Sequence, residues 1–384
     1  MQKTLMVDVG RLTACCTDHA LEFMYKAMSD PPDDSNIWGK HPDPLVAGTV
    51  EQFTADGVVA LEKIQDQLMD VLHQYGAAEK AFGPDPVEVQ RAVAKLQGKP
   101  PRSYTLDDWM TLVDWLILRF LPPHYIRSRA EYLAVRATVA GKIKSVSADL
   151  KPGPGYDRLV PPSIGLANAE LGLTTPESLM LDLAAQRVGE AITFIGESTR
   201  HRIKQLVIWH LQGQVRRDPG ATVRKLERQL FDEFAILNRD WRRVAITEVG
   251  NVQNEAQVAG LPVGAKVKRY EAYTGACPFC KKINGMIFTV VSPTKADKDG
   301  WKEVWVGKTN YGRSASPRKR VGDELIERTE AELWWPAAGV QHPNCRGGWI
   351  PWEGATTQDP RVVNFVDQLL KKHGLTKTPL TAAA

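Results

Sequence analysis

Two short clusters of cysteine and histidine constrain how the C-terminal part of this chain can fold. Cys277 and Cys280 form a C-x2-C pair, and His342 and Cys345 form an H-x2-C pair beyond residues 281–341. Two such side chains on a tight turn can reach one ion, and two pairs complete a tetrahedron. Thiolates with one imidazole suit Zn²⁺ better than they suit hard cations. We therefore expect these four residues to bind Zn²⁺ and to join two segments that lie far apart in the sequence.

Two other interpretations compete for the same residues. Free cysteines are commonly buried in protein cores without binding a metal. A nucleophilic cysteine could also pair with histidine, but such pairs normally come from separate segments and need a third, orienting group. His342 and Cys345 are local to each other. Four protein ligands leave no open coordination position, so we expect a structural metal and no catalytic residue.

Cysteine usage and net charge limit the classes of protein to which this chain can belong. The chain has 384 residues and five cysteines, of which Cys15 and Cys16 are adjacent, so a secreted disulfide framework is not expected. The N-terminus lacks the pattern of a signal peptide, and no apolar run is long enough to span a bilayer. These features favour a reducing, cytoplasmic origin. The net charge of +4 permits an anionic partner without requiring one.

Apolar residues recur at every third or fourth position over most of the first 260 residues, which predicts helices. The predicted helices lie at 50–73, 85–100, 105–121, 126–150, 174–213 and 216–237, with a last helix through Trp241 and Ala256. Thr105 is the expected N-cap of the third. The segment 151–165 is dense in proline and glycine and marks a boundary.

The pattern changes after residue 260 to short extended runs. Asn284-Gly285 between two such runs predicts a tight hairpin turn. Six of the eleven tryptophans follow residue 300, as expected where a small sheet has a thin core. We predict an α+β fold with mainly helical N-terminal and middle regions and a small β-rich, zinc-stabilised C-terminal module. The predicted divisions are 1–165, 166–260, 261–355 and a tail at 356–384.

Three motifs occur in an order that is typical of a known family. They are RRVAITEVGNVQNEAQVAG, CPFCKKINGMIF and HPNCRGG. Together they resemble the phage Mu F-like head morphogenesis family, the minor capsid proteins of tailed phages, over about 175–352. The matching positions are Ala245, Thr247, Glu248, Cys277, Pro278, Cys280, Gly285, His342, Pro343, Cys345 and Arg346. The family often has another cysteine after the arginine, where this chain has Gly347, and residues 1–165 lie outside the resemblance.

The resemblance implies a structural protein of the phage head and not an enzyme. Such a protein would act near the portal in capsid assembly or in DNA packaging and delivery. Its partners would be the portal or the major capsid protein and packaged double-stranded DNA, with no membrane and no small-molecule substrate. Its location would be the virion capsid, assembled in the host cytoplasm. We expect the N-terminal half, including the loops at 30–44 and 151–162, to dock on other virion proteins.

Basic residues are concentrated in two segments. Between Arg200 and Arg243 there are eleven Lys and Arg against five Asp and Glu. The segment 307–322 contains a run of basic residues that suits sequence-independent phosphate contact. The residues predicted to contact DNA are Lys308, Arg313, Arg318, Lys319 and Arg320. A solvated helix face and an ordinary polar loop are the alternative.

Two other classes of protein remain open at this point. One is a zinc-containing nucleic-acid enzyme such as a nuclease, which would need an open metal position and a further ligand. The other is a zinc-stabilised DNA-binding protein. Glu248, in the first motif, is interpreted as a surface group paired with Arg242 or Arg243 and not as a catalytic acid.

Overall fold

The computed structural model describes residues 41–72, 87–146, 154–173, 175–271, 273, 275–352 and 360–375. Most of these residues are helical. The helices in chain order are α1 Pro44–Leu72, α2 Val87–Leu96, α3 Leu106–Phe120, α4 Pro123–Val146, α5 Pro154–Asp157, α6 Ile164–Glu170, α7 Thr175–Val215, α8 Val223–Ala259, α9 Pro278–Ile283 and α10 Pro360–Lys372. Short 3-10 turns lie at Pro101–Ser103 and Glu330–Glu332. The α+β class predicted from the sequence is confirmed.

The strands within the described residues all follow α8. They are β1 Lys266–Tyr270, β2 Ile287–Val290, β3 Glu303–Val304, β4 Arg318–Val321, β5 Glu324–Glu327 and β6 Gly348–Pro351. Four of them form one sheet in the order β3-β2-β1-β6, in which only the β2–β3 pair is parallel. Strands β4 and β5 form a separate antiparallel pair. In the four-stranded sheet β1 is therefore bonded to β2 on one side and to the last strand, β6, on the other.

The described residues divide into two compact units, each made of separated segments. The sheet unit combines the described residues within 41–50, 130–188 and 243–375, and the helical unit combines those within 51–129 and 189–242. Neither unit coincides with one of the contiguous divisions predicted from the sequence.

The sheet unit has an apolar core beneath its four strands. Alternate residues of β1 and β2 are buried, as a half-buried strand requires. Phe288 and Trp349 meet edge to face with ring centroids 5.4 Å apart, and the Trp349 indole donates to the carbonyl of Ala338. The other members of this core are Val258, Leu261, Val267, Val290 and Val304. This core fixes β1 and β6, which precede and follow the two cysteine–histidine clusters.

The helical unit contains the apolar helix α3. Thr105 caps this helix, and Asp108 completes a reciprocal capping box with it, so the predicted cap is confirmed. Trp109, Leu112 and Leu116 are buried within the chain itself. These apolar side chains of α3 are therefore covered without an external partner. The loops expected to dock on virion proteins lie partly outside the described residues.

Two local predictions differ from the structure. The sequence segments at 216–237 and 241–256 belong to one continuous helix, α8. Asn284-Gly285 does not form a hairpin turn between strands. It ends α9, where Asn284 is the C-cap and Gly285 has a φ of 82°, a conformation that favours glycine.

Among the described residues, no helix is both long and apolar enough to cross a membrane.

Candidate metal centre

The first cluster lies at the start of α9. Cys277 is the N-cap of this helix, and its sulfur accepts a hydrogen bond from the backbone N–H of Cys280 at 3.4 Å. Pro278 occupies the first helical position, where a missing N–H costs nothing. This turn holds the Cys277 and Cys280 side chains near each other. Cys280 is buried and Cys277 is partly exposed.

The second cluster lies in a tight turn just before β6. The backbone N–H of Cys345 donates to the carbonyl of His342 at 3.1 Å. Asn344 closes this turn with a φ of 61°, which asparagine tolerates better than most residues do. Nδ1 of His342 is 2.7 Å from the carbonyl oxygen of Pro343. A carbonyl only accepts, so Nδ1 carries the proton of a neutral ring and Nε2 is left as the ligand atom.

The fold brings the two clusters together, as the sequence predicts. The sulfur of Cys280 is 3.3 Å from Nε2 of His342 and 3.8 Å from the sulfur of Cys345. The latter distance is far longer than the ~2.05 Å of a disulfide. Cys277, Cys280 and His342 form one group whose ligand atoms all lie within 4.8 Å of one another. These residues could hold a metal ion.

A carboxylate that the sequence analysis missed joins this site. Glu271, Cys280 and Cys345 form a second group within the same 4.8 Å limit, and it shares Cys280 with the first. A Cβ atom at Gly347 would lie 1.9 Å from Oε1 of Glu271. The carboxylate therefore occupies the space that a side chain at position 347 would enter. No local pattern marks Glu271, because it lies at the end of β1 and not beside either cysteine pair.

Arg269 is the cation beside the thiols. It is fully buried, and its guanidinium contacts Oε1 of Glu271 through Nη2 at 2.8 Å and Nε at 3.0 Å. Nη2 also lies 3.5 Å from the sulfur of Cys345. A buried charge needs a partner of opposite sign. The arginine therefore neutralises the carboxylate and supports a thiolate at Cys345 at the same time.

The thiols and the imidazole share protons within this cluster. Hydrogen bonds from Cys280 lower the pKa of Cys345 well below its usual value, and they lower the pKa of Cys277 to about 4. The interactions of Cys280 with Cys277 and Cys345, together with burial, raise the pKa of Cys280, so this thiol keeps its proton. Burial opposes the charge on His342, but the hydrogen bond and the charges of the thiolates prevail and raise its pKa to about 9. A metal bound to these groups would displace the protons of Cys280 and His342.

Polar side chains on one face of α8 hold the second cluster in place. They recur at positions 247, 251, 254 and 257, which is a helical spacing. The backbone N–H of Asn344 donates to Thr247, and that of Val340 donates to Asn251. The side-chain amides of Asn254 and Gln257 donate to the carbonyls of Gly347 and Trp349. All these residues of α8 are buried, so the helix supplies the hydrogen bonds that the non-helical backbone at 340–349 needs.

Glu248 differs from its predicted role. It is buried and not at the surface, and its carboxylate lies 3.3 Å from Nε of Arg187. Burial raises the pKa of Glu248 despite this arginine. The prediction of a surface ion pair was wrong because position 248 lies on a face of α8 that is covered.

The five basic residues predicted to contact DNA lie in different environments. The prediction for Lys308 is wrong, because this residue is buried and its amine donates to the carbonyls of Gly300 and Glu303. Arg313 is partly buried, with its guanidinium 3.6 Å from the centre of the Trp335 ring. Lys319 pairs with Glu332. Arg318 and Arg320 are exposed on β4.

No family model, no curated protein and no solved structure matches this chain. The site is accordingly defined by its own geometry. It is a buried cysteine–histidine cluster between α9 and the turn before β6. One face of α8 and the Arg269–Glu271 pair support it.

Proposed function

We propose that this chain is a minor capsid or head morphogenesis protein of a tailed phage. One observation carries this proposal: the three motifs on which the resemblance rests meet in one place. Thr247 of the first motif accepts a hydrogen bond from the backbone of Asn344 in the third at 2.9 Å, and Cys280 of the second contacts both His342 and Cys345 of the third. Three unrelated short motifs spread over about 100 residues would not be expected to contact one another in the folded chain.

Zinc is the metal that the site fits best. Sulfur ligands at ~2.3 Å from a tetrahedral zinc lie ~3.8 Å apart, and the sulfurs of Cys280 and Cys345 are separated by 3.8 Å. Three thiolates and a neutral imidazole leave one net negative charge around Zn²⁺, and the guanidinium of Arg269 lies 3.5 Å from one of these sulfurs. A set of Cys277, Cys280, His342 and Cys345 is closed to water. The metal therefore joins α9 to the turn before β6 and performs no chemistry.

The partners of the chain follow from this role. In the assembled head it contacts the portal or the major capsid protein, and it lies in the virion after assembly in the host cytoplasm. It also touches packaged double-stranded DNA without sequence preference, through exposed cations such as Arg318 and Arg320. Within the described segment 314–333 around β4, these cations lie on a short strand pair and not on a helix that could enter a groove, so the proposed contact is electrostatic.

The location of the chain tests the proposal. Quantitative mass spectrometry would compare purified virions of a phage that encodes the chain with the unassembled protein of the same infected cells. We expect the chain in the virion fraction at a fixed ratio to the major capsid protein, below one copy per capsid subunit. Its absence from both virions and capsid assembly intermediates would refute the proposal.

The DNA contact has its own test. The double variant Arg318→Glu, Arg320→Glu should bind a random duplex more weakly. The slope of log K against log salt concentration should fall by roughly 2, one for each phosphate contact that is lost. The double variant Lys371→Glu, Lys372→Glu, at two exposed positions of α10, is the matched control because it changes the net charge by the same amount. Equal slopes for the double variant and the wild type would exclude a DNA contact at β4.

A further inference from the structure

A pocket of about 610 Å³ lies beside the metal centre in the sheet unit. Its walls come from α9, from the segment around Gly300 and from residues 313–335. Pockets of this volume accept ligands of the size of a nucleotide or a drug. The metal centre and the pocket share a wall, because Trp334 lines the pocket and stacks on His342 with ring centroids 5.6 Å apart and an interplanar angle of 11°.

Four of the residues that line this pocket are aromatic. Phe279 lies 5.5 Å from Trp334 and 6.3 Å from Trp301, measured between ring centroids. Trp335 contributes a third indole to the wall. Trp301 remains 38% exposed, although an indole of this size is normally covered in a folded chain. Open indole surface in a concave site is suited to stacking against a flat ligand.

Cations accompany the rings. The amine of Lys282 lies 4.8 Å from the centre of the Trp301 ring, and the guanidinium of Arg313 lies 3.6 Å from that of Trp335. Both side chains line the pocket, where Glu330 is the acidic residue among those that form the wall. The charge complementarity therefore favours a ligand that is both flat and anionic.

We propose that this pocket binds unpaired bases of a single-stranded nucleic acid. The bases stack on Trp301 and Trp334, and Lys282 and Arg313 contact the adjoining phosphates. A positively charged groove lined with aromatic rings is the arrangement by which proteins hold single strands without reading their sequence. A duplex hides its bases, so it cannot use the stacking surface. This binding site is separate from the duplex contact at β4, and it does not depend on the role of the chain in a phage head.

The test uses the full-length, metal-loaded chain and fluorescence anisotropy. The probe is a labelled oligonucleotide of about twelve thymidines, which matches the range of single-strand site sizes. An abasic oligonucleotide of the same length carries the same phosphates without bases. We expect the abasic strand to bind at least about tenfold more weakly, since each stacked base contributes on the order of tenfold in affinity. Both oligonucleotides are tested on the wild-type protein, so a folding defect of a variant cannot affect this comparison.

Two pairs of variants locate the binding site. Trp301→Ala should weaken binding of the thymidine strand about tenfold, whereas Trp352→Ala, outside the lining, should leave the affinity unchanged. Lys282→Glu should weaken binding more than Lys302→Glu, whose side chain is 83% exposed and does not line the pocket. Circular dichroism and metal content would confirm that each variant is folded.

Three results would overturn the proposal. The first is equal affinity for the thymidine strand and the abasic strand, which would reduce the interaction to charge alone. The second is equal affinity of the wild type and Trp301→Ala for the thymidine strand. The third is binding of a proline-rich peptide in this pocket together with no measurable binding of the oligonucleotide, since aromatic grooves also recognise polyproline helices.

Discussion

The hydroxyl oxygen of Thr247 accepts a hydrogen bond from the backbone N–H of Asn344 at 2.9 Å. Asn344 lies between two candidate metal ligands, His342 and Cys345, and has a left-handed backbone conformation. This one bond therefore ties the turn that carries both ligands to the rigid helix α8. The binding geometry of the metal centre depends on a residue that contacts none of the ligand atoms.

Replacing Thr247 with valine should weaken this turn. Valine has nearly the same shape but cannot accept the bond, and the partly buried N–H of Asn344 would lose its partner. We expect the free energy of unfolding to fall by about 1 kcal/mol, with an upper limit of about 3 kcal/mol. A chromogenic chelator should also remove the metal faster. Thr247→Ser, which keeps the hydroxyl, should behave like the wild type, and equal losses in both variants would contradict this role.

Elemental analysis of protein purified without chelator should find one zinc per chain. Cys280→Ser should abolish this binding, because Cys280 belongs to both groups of candidate ligands. The helical signal in circular dichroism should largely persist, since the long helices α7 and α8 do not depend on the cluster for their hydrogen bonds. Cys16→Ser removes a thiol outside the predicted ligand set and should leave the zinc content unchanged. Zinc retained at one equivalent in Cys280→Ser would exclude this site.

Arg269→Lys should lower the metal affinity without removing a ligand. Lysine keeps the positive charge but lacks the planar fork that contacts Glu271 and Cys345 together. Changes in such supporting groups typically cost 10–100-fold in metal affinity, and we expect a loss of about that size. Competition with a zinc chelator of known affinity would measure it. Lys266→Arg, an exposed exchange on the same strand, is the control, and an unchanged affinity in Arg269→Lys would show that the guanidinium does not act on the thiolates.

The stability of the chain should depend on pH through Lys308. Burial lowers the pKa of this amine from 10.5 to about 7, and the nearby Arg313 acts in the same direction. Between these two values the unfolded chain binds a proton that the folded chain does not. The free energy of unfolding contributed by Lys308 therefore rises as pH increases from about 7 to 10.5, by up to about 1.4 kcal/mol per unit.

Denaturant unfolding of the wild type and Lys308→Met at several pH values would measure this contribution. Methionine has a similar length and does not titrate. We expect the wild-type stability to rise relative to that of the variant across the window, because all other titrating groups are common to both chains. A difference between the two that stays constant or falls with increasing pH would show that Lys308 is charged in the folded chain throughout.

Local signals made part of this structure predictable. The Thr105 cap acts through residues within one turn, so its pattern survives whatever the rest of the chain does. The cysteine–histidine pairs are likewise two local turns whose residue types restrict what they can bind. Their meeting could be predicted because one ion needs four ligands and each pair offers two.

Other parts depend on contacts between distant segments, which leave no local pattern. Lys308 and Arg320 look alike in a basic run, yet Lys308 is covered by the rings of Trp305 and Trp335 while Arg320 is exposed. Glu271 joins the metal centre only because β1 places it there. The spacing of the polar residues of α8 placed them on one helix face, but a polar helix face usually contacts water. The sequence therefore did not predict that this face is buried. Their role depends on a backbone segment almost a hundred residues later.

The position of β6 in the sheet has a consequence for how the chain is made. Strand β1 has a neighbour on each side, but one of these, β6, is the last of the described strands in chain order and leaves the ribosome well after β1 and β2. Until then one edge of β1 is unpaired, while β1 and β2 are already able to pair. Unpaired strand edges recruit other chains, so a protein released by premature termination shortly before Gly348 would carry this open edge permanently. Such fragments should aggregate during synthesis, and the nascent chain would benefit from a chaperone that covers β1 until β6 arrives.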